Sequence, residues 1–259
     1  MTVDDRIPRN VPERDILPIF VPDYASEPPA LISHEGTGFV LGKNVFVTCW
    51  HCLRTELQDQ LRYTAAKEHN GQYTLYPLID IQQDPRGTDL ATAIVSLESE
   101  MGLTIAEGSV SPYGTDIWSF GYPLTTFQSH PQTPMLKRFT LNGRYMQSYV
   151  MRAFHNDVPT FGQTASFELD MPALAGMSGA PIVQVGSREG IGVLYGRNDA
   201  ETIEEFGSRD PDTGERLTPE VVRMTYFAAA HFIDTLKNLR GKATHGLPLF
   251  DFFERVEAC

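Results

Sequence analysis

The most constraining feature of this sequence is a series of short apolar runs, each of strand length and each bounded by turn residues. The runs fall at residues 73–81, 90–97, 117–122, 139–150, 166–169, 180–185, 191–195 and 224–229. Runs of this length and spacing favour an all-β barrel or sandwich over alternating strands and helices. A further pair of runs at 36–48 is interrupted by Gly42, Lys43 and Asn44, which predicts a β-hairpin.

Four segments depart from this pattern. Residues 1–30 are rich in proline and charge, and proline opposes helix interiors and central strands, so we expect an extended N-terminal arm. Residues 197–222 are polar, acidic and punctuated by Gly and Pro, which predicts a long surface loop. Residues 230–239 carry apolar side chains at helical spacing and predict a helix. The tail at 242–259 carries an apolar face that needs a partner surface.

The composition excludes several classes of function. The chain has 259 residues, of which 41% are hydrophobic, enough for a sizeable core rather than a disordered chain. Its 33 acidic and 21 basic residues give a net charge of -12. A surface of that sign repels phosphates, so we expect neither nucleic acid nor a membrane as a partner.

The cysteines and the N-terminus predict a compartment. Cys49, Cys52 and Cys259 are an odd number and form no disulfide framework. The first residues mix Asp, Arg and Pro and lack the basic-then-apolar plan of a secretory signal. We therefore expect a reducing, cytoplasmic setting.

The segment GMSGAP at 176–181 is the most informative motif. A serine that attacks an acyl carbon needs backbone N–H groups aimed at the developing oxyanion, and glycines allow the tight turn that exposes them. The N–H groups of Gly176 and Ser178 are the candidates for this oxyanion hole. Alone, the string also fits an ordinary turn.

Two further residues complete a candidate catalytic set. His51 lies in VFVTCWHC, just past the end of a predicted strand, where a rigid element can hold the imidazole. Asp89 lies in GTDLA, immediately before the apolar run 90–97. Each residue alone fits a structural role as well, since Asp is common in turns.

Together these segments resemble the chymotrypsin/trypsin-like serine peptidases, particularly the stand-alone prokaryotic kind. The resemblance rests on the order His51, Asp89, Ser178 and on the sequences TCWHC, TDLA and GMSGAP, and it spans roughly residues 31–240. Nucleophile-elbow hydrolases run in a different order, with Ser first.

The resemblance implies an all-β fold of two six-stranded antiparallel barrels with a C-terminal helix. We expect the first barrel at residues 31–112, the second at 113–229 and the helix and tail at 230–259.

The resemblance also implies the chemistry. Ser178 would attack the scissile carbonyl, His51 would act as general base and acid, and Asp89 would orient His51. The expected function is a serine endopeptidase acting on proteins or peptides, with no cofactor and no metal. Met177 stands where the animal digestive enzymes have an Asp that pairs with a new N-terminus, so restraint would come from the acidic loop, the arm or a regulatory partner.

A specificity pocket is implied at the positions that precede the serine and on the strand that follows it. Its expected lining is Pro172, Ala173, Leu174, Val193, Leu194, Tyr195 and Gly196. No acidic side chain is among these residues, which favours an apolar or small side chain at the cleavage site.

Other interpretations stay open. The CWHC sequence suggests a metal site, although zinc usually takes three or four protein ligands, or a C-x-x-C disulfide between Cys49 and Cys52. Both cysteines also fit as small buried side chains packed around the base. A catalytically silent member of the same fold, working as a protein-binding module, is the main alternative function.

Overall fold

The computed structural model describes residues 14–25, 30–53, 57, 61–69, 72–100, 103–107, 113–123, 126–130, 133–140, 142–158, 162–204, 210, 212–214 and 221–257. Within these ranges the chain forms two seven-stranded sheets and one separate two-stranded hairpin. This confirms the expected all-β, two-barrel fold of the chymotrypsin type. In the same ranges, none of the helices has the length and apolar character needed to cross a membrane.

The first sheet is antiparallel and open. In spatial order its strands are β5 Gln72–Pro77, β4 Thr64–His69, β1 Ile16–Asp23, β2 Ala30–Leu41, β3 Lys43–Cys49, β7 Leu90–Glu98 and β6 Ile79–Gln83. The end strands β5 and β6 do not pair within the described residues, so this sheet is a seven-stranded half-barrel instead of the six-stranded barrel expected. The predicted hairpin is present as β2 and β3, joined at Gly42 with a φ of 52°.

The second sheet closes into a barrel. Its six-stranded ring is β14 Pro181–Gln184, β9 Asp116–Gly121, β12 Arg144–Val158, β13 Gly162–Leu169, β16 Val221–Phe232 and β15 Glu189–Glu204. Pairing of β14 with β15 completes the ring, and β8 Thr104–Ile105 adds to β15 in parallel. The separate hairpin consists of β10 Thr126–His130 and β11 Thr133–Thr140.

The expectation of an N-terminal arm is wrong for the segment Ile16–Asp23. This segment is β1, a buried strand between β4 and β2 in the first sheet. Its prolines lie outside the two residues, Ile19 and Phe20, that pair with β4. On the β2 side Pro18 is opposite Thr37, whose N–H and carbonyl bond to Ser178 and Thr48, and Pro22 follows a register shift. Residues 1–13 and 26–29 of the predicted arm lie outside the described residues.

The predicted loop at 197–222 is also partly wrong. Its first eight residues continue β15 and its last two begin β16, and the two strands pair from Gly192 with Phe232 to Glu204 with Val221. Backbone pairing does not depend on side-chain polarity, so a polar run can extend a hairpin. Of the residues between these strands, the structure describes 210 and 212–214, where the Asp210 carboxylate accepts the Asp212 N–H at 2.8 Å.

The predicted helix at 230–239 begins later than expected. Residues up to Phe232 belong to β16, because His231 pairs with both Ser166 and Val193 across the sheet. The helix α1 covers Ile233–Lys237. At residues 230–232, strand pairing on both sides therefore outweighs the helical spacing of the apolar side chains.

The tail docks on the first sheet. A 3₁₀ turn at Lys242–Thr244 packs on β3, β6 and β7, and the Lys242 N–H donates to Gln82 Oε1 at 3.0 Å. The helix α2 at Leu249–Glu257 follows, and its Phe253 ring lies so close to the hairpin that a Cβ at Gly42 would stand 2.4 Å from it. The first sheet is therefore the partner surface that the apolar tail requires.

His231 is an unusual core residue that yields a prediction. Its side chain is buried, neither ring nitrogen has a hydrogen-bond partner among the described residues, and burial lowers its pKa to about 4. The unfolded chain, with an ordinary pKa of 6.5, binds a proton more readily. Stability from the neutral ring is therefore present above pH 6.5 and decreases as the pH falls towards 4.

We expect the free energy of unfolding to fall by roughly 2 to 3 kcal/mol more in the native protein than in His231→Phe between about pH 7.5 and about pH 4.5. The phenyl ring keeps an aromatic partner for Tyr195 and cannot be protonated. Urea unfolding of both proteins at the two pH values measures their free energies of unfolding. For each protein, the value at the higher pH is the reference from which its loss is calculated. An equal loss in both proteins would contradict the assignment.

Candidate active site

His51 is held by the turn that ends β3. The chain leaves the strand at Cys49 and enters a 3₁₀ turn at Trp50–Cys52, closed by a hydrogen bond from the Leu53 N–H to the Trp50 carbonyl at 2.8 Å. The Trp50 N–H donates to the Asp89 carbonyl at 3.1 Å. The backbone therefore already joins the His51 turn to the start of β7.

Asp89 directs both carboxylate oxygens at one residue. Its side chain is only 2% exposed, and Oδ2 lies 2.6 Å from His51 Nδ1, while Oδ1 accepts the His51 backbone N–H at 2.9 Å. A carboxylate acceptor requires the hydrogen on Nδ1, so Nε2 of a neutral ring carries the free lone pair. The structure thus brings together two of the three predicted catalytic side chains.

The electrostatic setting makes His51 more basic. Burial alone would lower the pKa of the imidazole, but the hydrogen bond to the Asp89 carboxylate and the negative charge of that carboxylate outweigh it. The pKa of His51 is therefore raised above its ordinary value of 6.5. The His51 side chain is 27% exposed and therefore remains accessible to solvent.

Ser178 lies in a turn that only glycine permits on both sides. Gly176 and Gly179 have φ angles of 91° and 90°. A Cβ at Gly179 would stand 1.9 Å from the Thr37 carbonyl oxygen, and one at Gly176 would stand 2.6 Å from the Tyr122 carbonyl oxygen. Backbone conformation and close packing therefore both explain the two glycines of GMSGAP.

The Ser178 hydroxyl is oriented towards the second barrel. Its Oγ donates to the Tyr195 carbonyl at 3.4 Å. Within the described residues it makes no hydrogen bond to the His51 ring. Of the three predicted catalytic groups, the carboxylate and imidazole are joined and the hydroxyl is not.

The backbone around Ser178 leaves two N–H groups available. The N–H groups of Met177 and Gly179 donate to the carbonyls of Leu174 and Leu194, at 3.1 and 2.7 Å. Those of Gly176 and Ser178, the predicted oxyanion donors, have no acceptor in the described part of the chain. Two such N–H groups, on either side of Met177, are what an oxyanion hole requires.

The predicted pocket residues divide by exposure. Val193 and Leu194 are buried at 0% and 2% exposure, so they would contribute almost no surface to the predicted pocket. Pro172 is exposed, and the remaining predicted residues are partly exposed: Ala173, Leu174, Tyr195 and Gly196. The ring of Tyr195 packs against the His231 ring at a centroid distance of 4.4 Å and an interplanar angle of 32°.

Three potential metal ligands lie near one another. Atoms of Cys49, His51 and Asp89 fall within 4.8 Å of one another. However, burial raises the pKa of the Cys49 thiol well above its ordinary value, and Sγ donates to the Leu194 carbonyl at 3.2 Å. Zinc binds the thiolate, so this geometry favours packing and hydrogen bonding over metal binding for Cys49.

Two residues beside the site were not identified from the sequence. Thr37 donates its backbone N–H to the Ser178 carbonyl at 2.8 Å, and the His34 ring lies so close to Gly176 that a Cβ there would stand 2.9 Å from it. Burial lowers the pKa of His34 to about 4. The one available signal was the pair of glycines that flank Thr37, which indicates close backbone approach.

Comparison with known proteins adds an independent result. The family model for the trypsin-like peptidase domain matches residues 36–193, which is more than half of the chain and includes all three predicted catalytic residues. No curated protein sequence matches significantly.

Solved structures of similar fold include proteases. The active form of the Rv3671c protease of M. tuberculosis is 15% identical with a TM-score of 0.51, over 85% of this chain and 76% of that one. The HtrA-type protease AlgW is 13% identical with a TM-score of 0.52, over 95% of this chain and 64% of that one. Deg5 is 15% identical with a TM-score of 0.50, over 71% of this chain and 80% of that one. At these identities the likeness is one of fold.

We expect Asp89→Asn to lower the pKa of His51 by at least about one unit, because the negative charge is lost while burial remains. NMR titration of the histidine ring protons measures this pKa without any substrate. Asp80→Asn, which neutralises an exposed carboxylate paired with Lys242, is the matched control and should leave it unchanged. An unshifted value in Asp89→Asn would separate Asp89 from the basicity of His51.

Proposed function

The chain belongs to the trypsin-like peptidase domain family, and from this premise we propose that it is a serine endopeptidase that forms an acyl-enzyme on Ser178. The observation that carries the proposal is the pair of hydrogen bonds from His51 to the buried Asp89 carboxylate, at 2.6 and 2.9 Å. They orient the imidazole and select the tautomer that a general base needs.

The proposed reaction has two halves. Ser178 Oγ bonds to the scissile carbonyl carbon while its proton passes to His51 Nε2, and the carbon–nitrogen bond then breaks as His51 gives that proton to the leaving amine. Water repeats the sequence on the acyl-enzyme and releases the second product. Asp89 stabilises the imidazolium that forms in each half.

The available N–H groups of Gly176 and Ser178 support the same proposal. In each tetrahedral intermediate the carbonyl oxygen becomes an anion, and these two donors would bind it. Fixed donors of this kind need no reorganisation at the moment of reaction, which is why removal of one typically costs about 10²- to 10³-fold in rate.

Catalysis requires the Ser178 hydroxyl to turn from the Tyr195 carbonyl towards His51. A serine hydroxyl changes direction by rotation about one side-chain bond, and nucleophile hydrogen bonds are often loose before substrate binds. The substrates proposed are proteins or peptides. The partly exposed Ala173, Leu174, Tyr195 and Gly196 favour an apolar or small side chain on the acyl side of the cleaved bond.

One observation favours the alternative function. The Ser178 hydroxyl is bonded to the Tyr195 carbonyl, as expected in a catalytically silent protein-binding module whose serine has no base as partner. The two functions differ in whether Ser178 reacts, so a covalent probe separates them.

We expect a fluorophosphonate probe to label the native protein and to leave Ser178→Ala unlabelled, because only an activated hydroxyl attacks phosphorus. Gel fluorescence and mass spectrometry of the tryptic peptide measure labelling and its position. Ser187→Ala, the same change at a turn serine that donates to the Gln184 carbonyl, should label like the native protein. Absence of labelling in the native protein would favour the binding module.

We further expect the labelling rate to rise with pH through a midpoint above 6.5, because the base must be neutral and its pKa is raised. Rates measured from about pH 5 to about pH 10 give the midpoint. Asp89→Asn should lower the plateau by about four orders of magnitude. A flat profile would remove His51 from the role of base.

A further inference from the structure

Thr37 lies at the contact between the two barrels. It belongs to β2 of the first sheet, its side chain is fully buried, and it faces the turn that carries Ser178 in the second. It has no place in the proposed chemical steps. Its hydrogen bonds nevertheless all end at or beside the site.

Every polar atom of Thr37 is used. The backbone N–H donates to the Ser178 carbonyl at 2.8 Å, and the carbonyl accepts the Thr48 hydroxyl at 2.6 Å. The hydroxyl oxygen accepts the Tyr122 N–H at 3.1 Å and lies 2.8 Å from the Gly176 carbonyl oxygen. Since that carbonyl can only accept, the hydroxyl hydrogen points at Gly176.

These bonds anchor two peptide groups of the turn at both ends. The peptide that joins Gly176 to Met177 is held at its oxygen by the Thr37 hydroxyl and at its N–H by the Leu174 carbonyl. The peptide that joins Ser178 to Gly179 is held at its oxygen by the Thr37 N–H and at its N–H by the Leu194 carbonyl. Planar peptides fixed at two atoms cannot rotate independently.

Gly176 depends most on this anchoring. A glycine at a φ of 91° has little intrinsic preference for that conformation, so its N–H direction is set by what its neighbours hold. The Thr37 hydroxyl donates to the Gly176 carbonyl and accepts the Tyr122 N–H. The Tyr122 carbonyl lies next to the Gly176 Cα, where an added Cβ would stand 2.6 Å from it.

We propose that Thr37 is a positioning residue whose hydroxyl holds Gly176 so that its N–H faces the developing oxyanion beside that of Ser178. The proposal rests on the proposed peptidase function and adds a residue from the other barrel to its machinery. Valine at this position fills the same space and keeps the bond to the Ser178 carbonyl, but it leaves the Gly176 carbonyl and the Tyr122 N–H without their partner.

The test compares Thr37→Val with Thr37→Ser by saturable fluorophosphonate labelling, which yields kinact and KI separately. We expect Thr37→Val to lower kinact by about ten- to a hundred-fold with KI within about threefold, since misplaced oxyanion donors act in the transition state. Thr37→Ser keeps the hydroxyl and should remain within about threefold of the native kinact.

Ser119→Ala is the matched control, because it also removes a buried hydroxyl that donates to a backbone carbonyl, that of Pro181 at 2.9 Å. It should lose thermal stability without a comparable loss of kinact. A native kinact in folded Thr37→Val overturns the proposal, as does an equal loss in Ser119→Ala.

If Thr37→Val does not fold, Thr37→Ala is measured in its place. Failure of both to fold, with Thr37→Ser folded, would make the hydroxyl a folding determinant and would also overturn the proposal. Failure of the native protein to label contradicts the peptidase function itself, so the two results are distinguishable.

Discussion

A buried carboxylate is the constraint on which the site depends. Asp89 is almost inaccessible to water, and an ionised group there is costly unless both of its oxygens are hydrogen-bonded. One residue, His51, meets that requirement with its ring and its backbone N–H. The two hydrogen bonds that stabilise the Asp89 carboxylate therefore also hold the short turn after β3 against the start of β7. They orient the imidazole at the same time.

The second constraint is the contact between the barrels. The first barrel supplies the imidazole and carboxylate and the second supplies the hydroxyl, so the site exists only while the two keep their relative position. Thr37 and Cys49 maintain it with hydrogen bonds to carbonyls of the second barrel, those of Gly176, Ser178 and Leu194. These are bonds to backbone carbonyls, so the sequence alone does not show which residues of the second barrel the two side chains contact.

Much of this arrangement could be predicted from the sequence, and the exceptions share a cause. The apolar runs placed most strands, and the resemblance to a known family singled out His51, Asp89 and Ser178, of which the structure joins His51 and Asp89. The strand β1, the polar ends of β15 and β16 and the delayed start of α1 were missed because each depends on pairing with distant segments. Thr37 and His231 were missed because only the folded chain shows what surrounds them.

The docked tail has a consequence for how the protein is made. The 3₁₀ turn and α2 pack on the first sheet, whose strands all precede the second barrel in sequence, so the whole second barrel is inserted between two parts of one packing unit. During synthesis the first sheet is therefore made well before the segment that covers it. Its tail-binding face stays uncovered until the second barrel and the tail have both been translated.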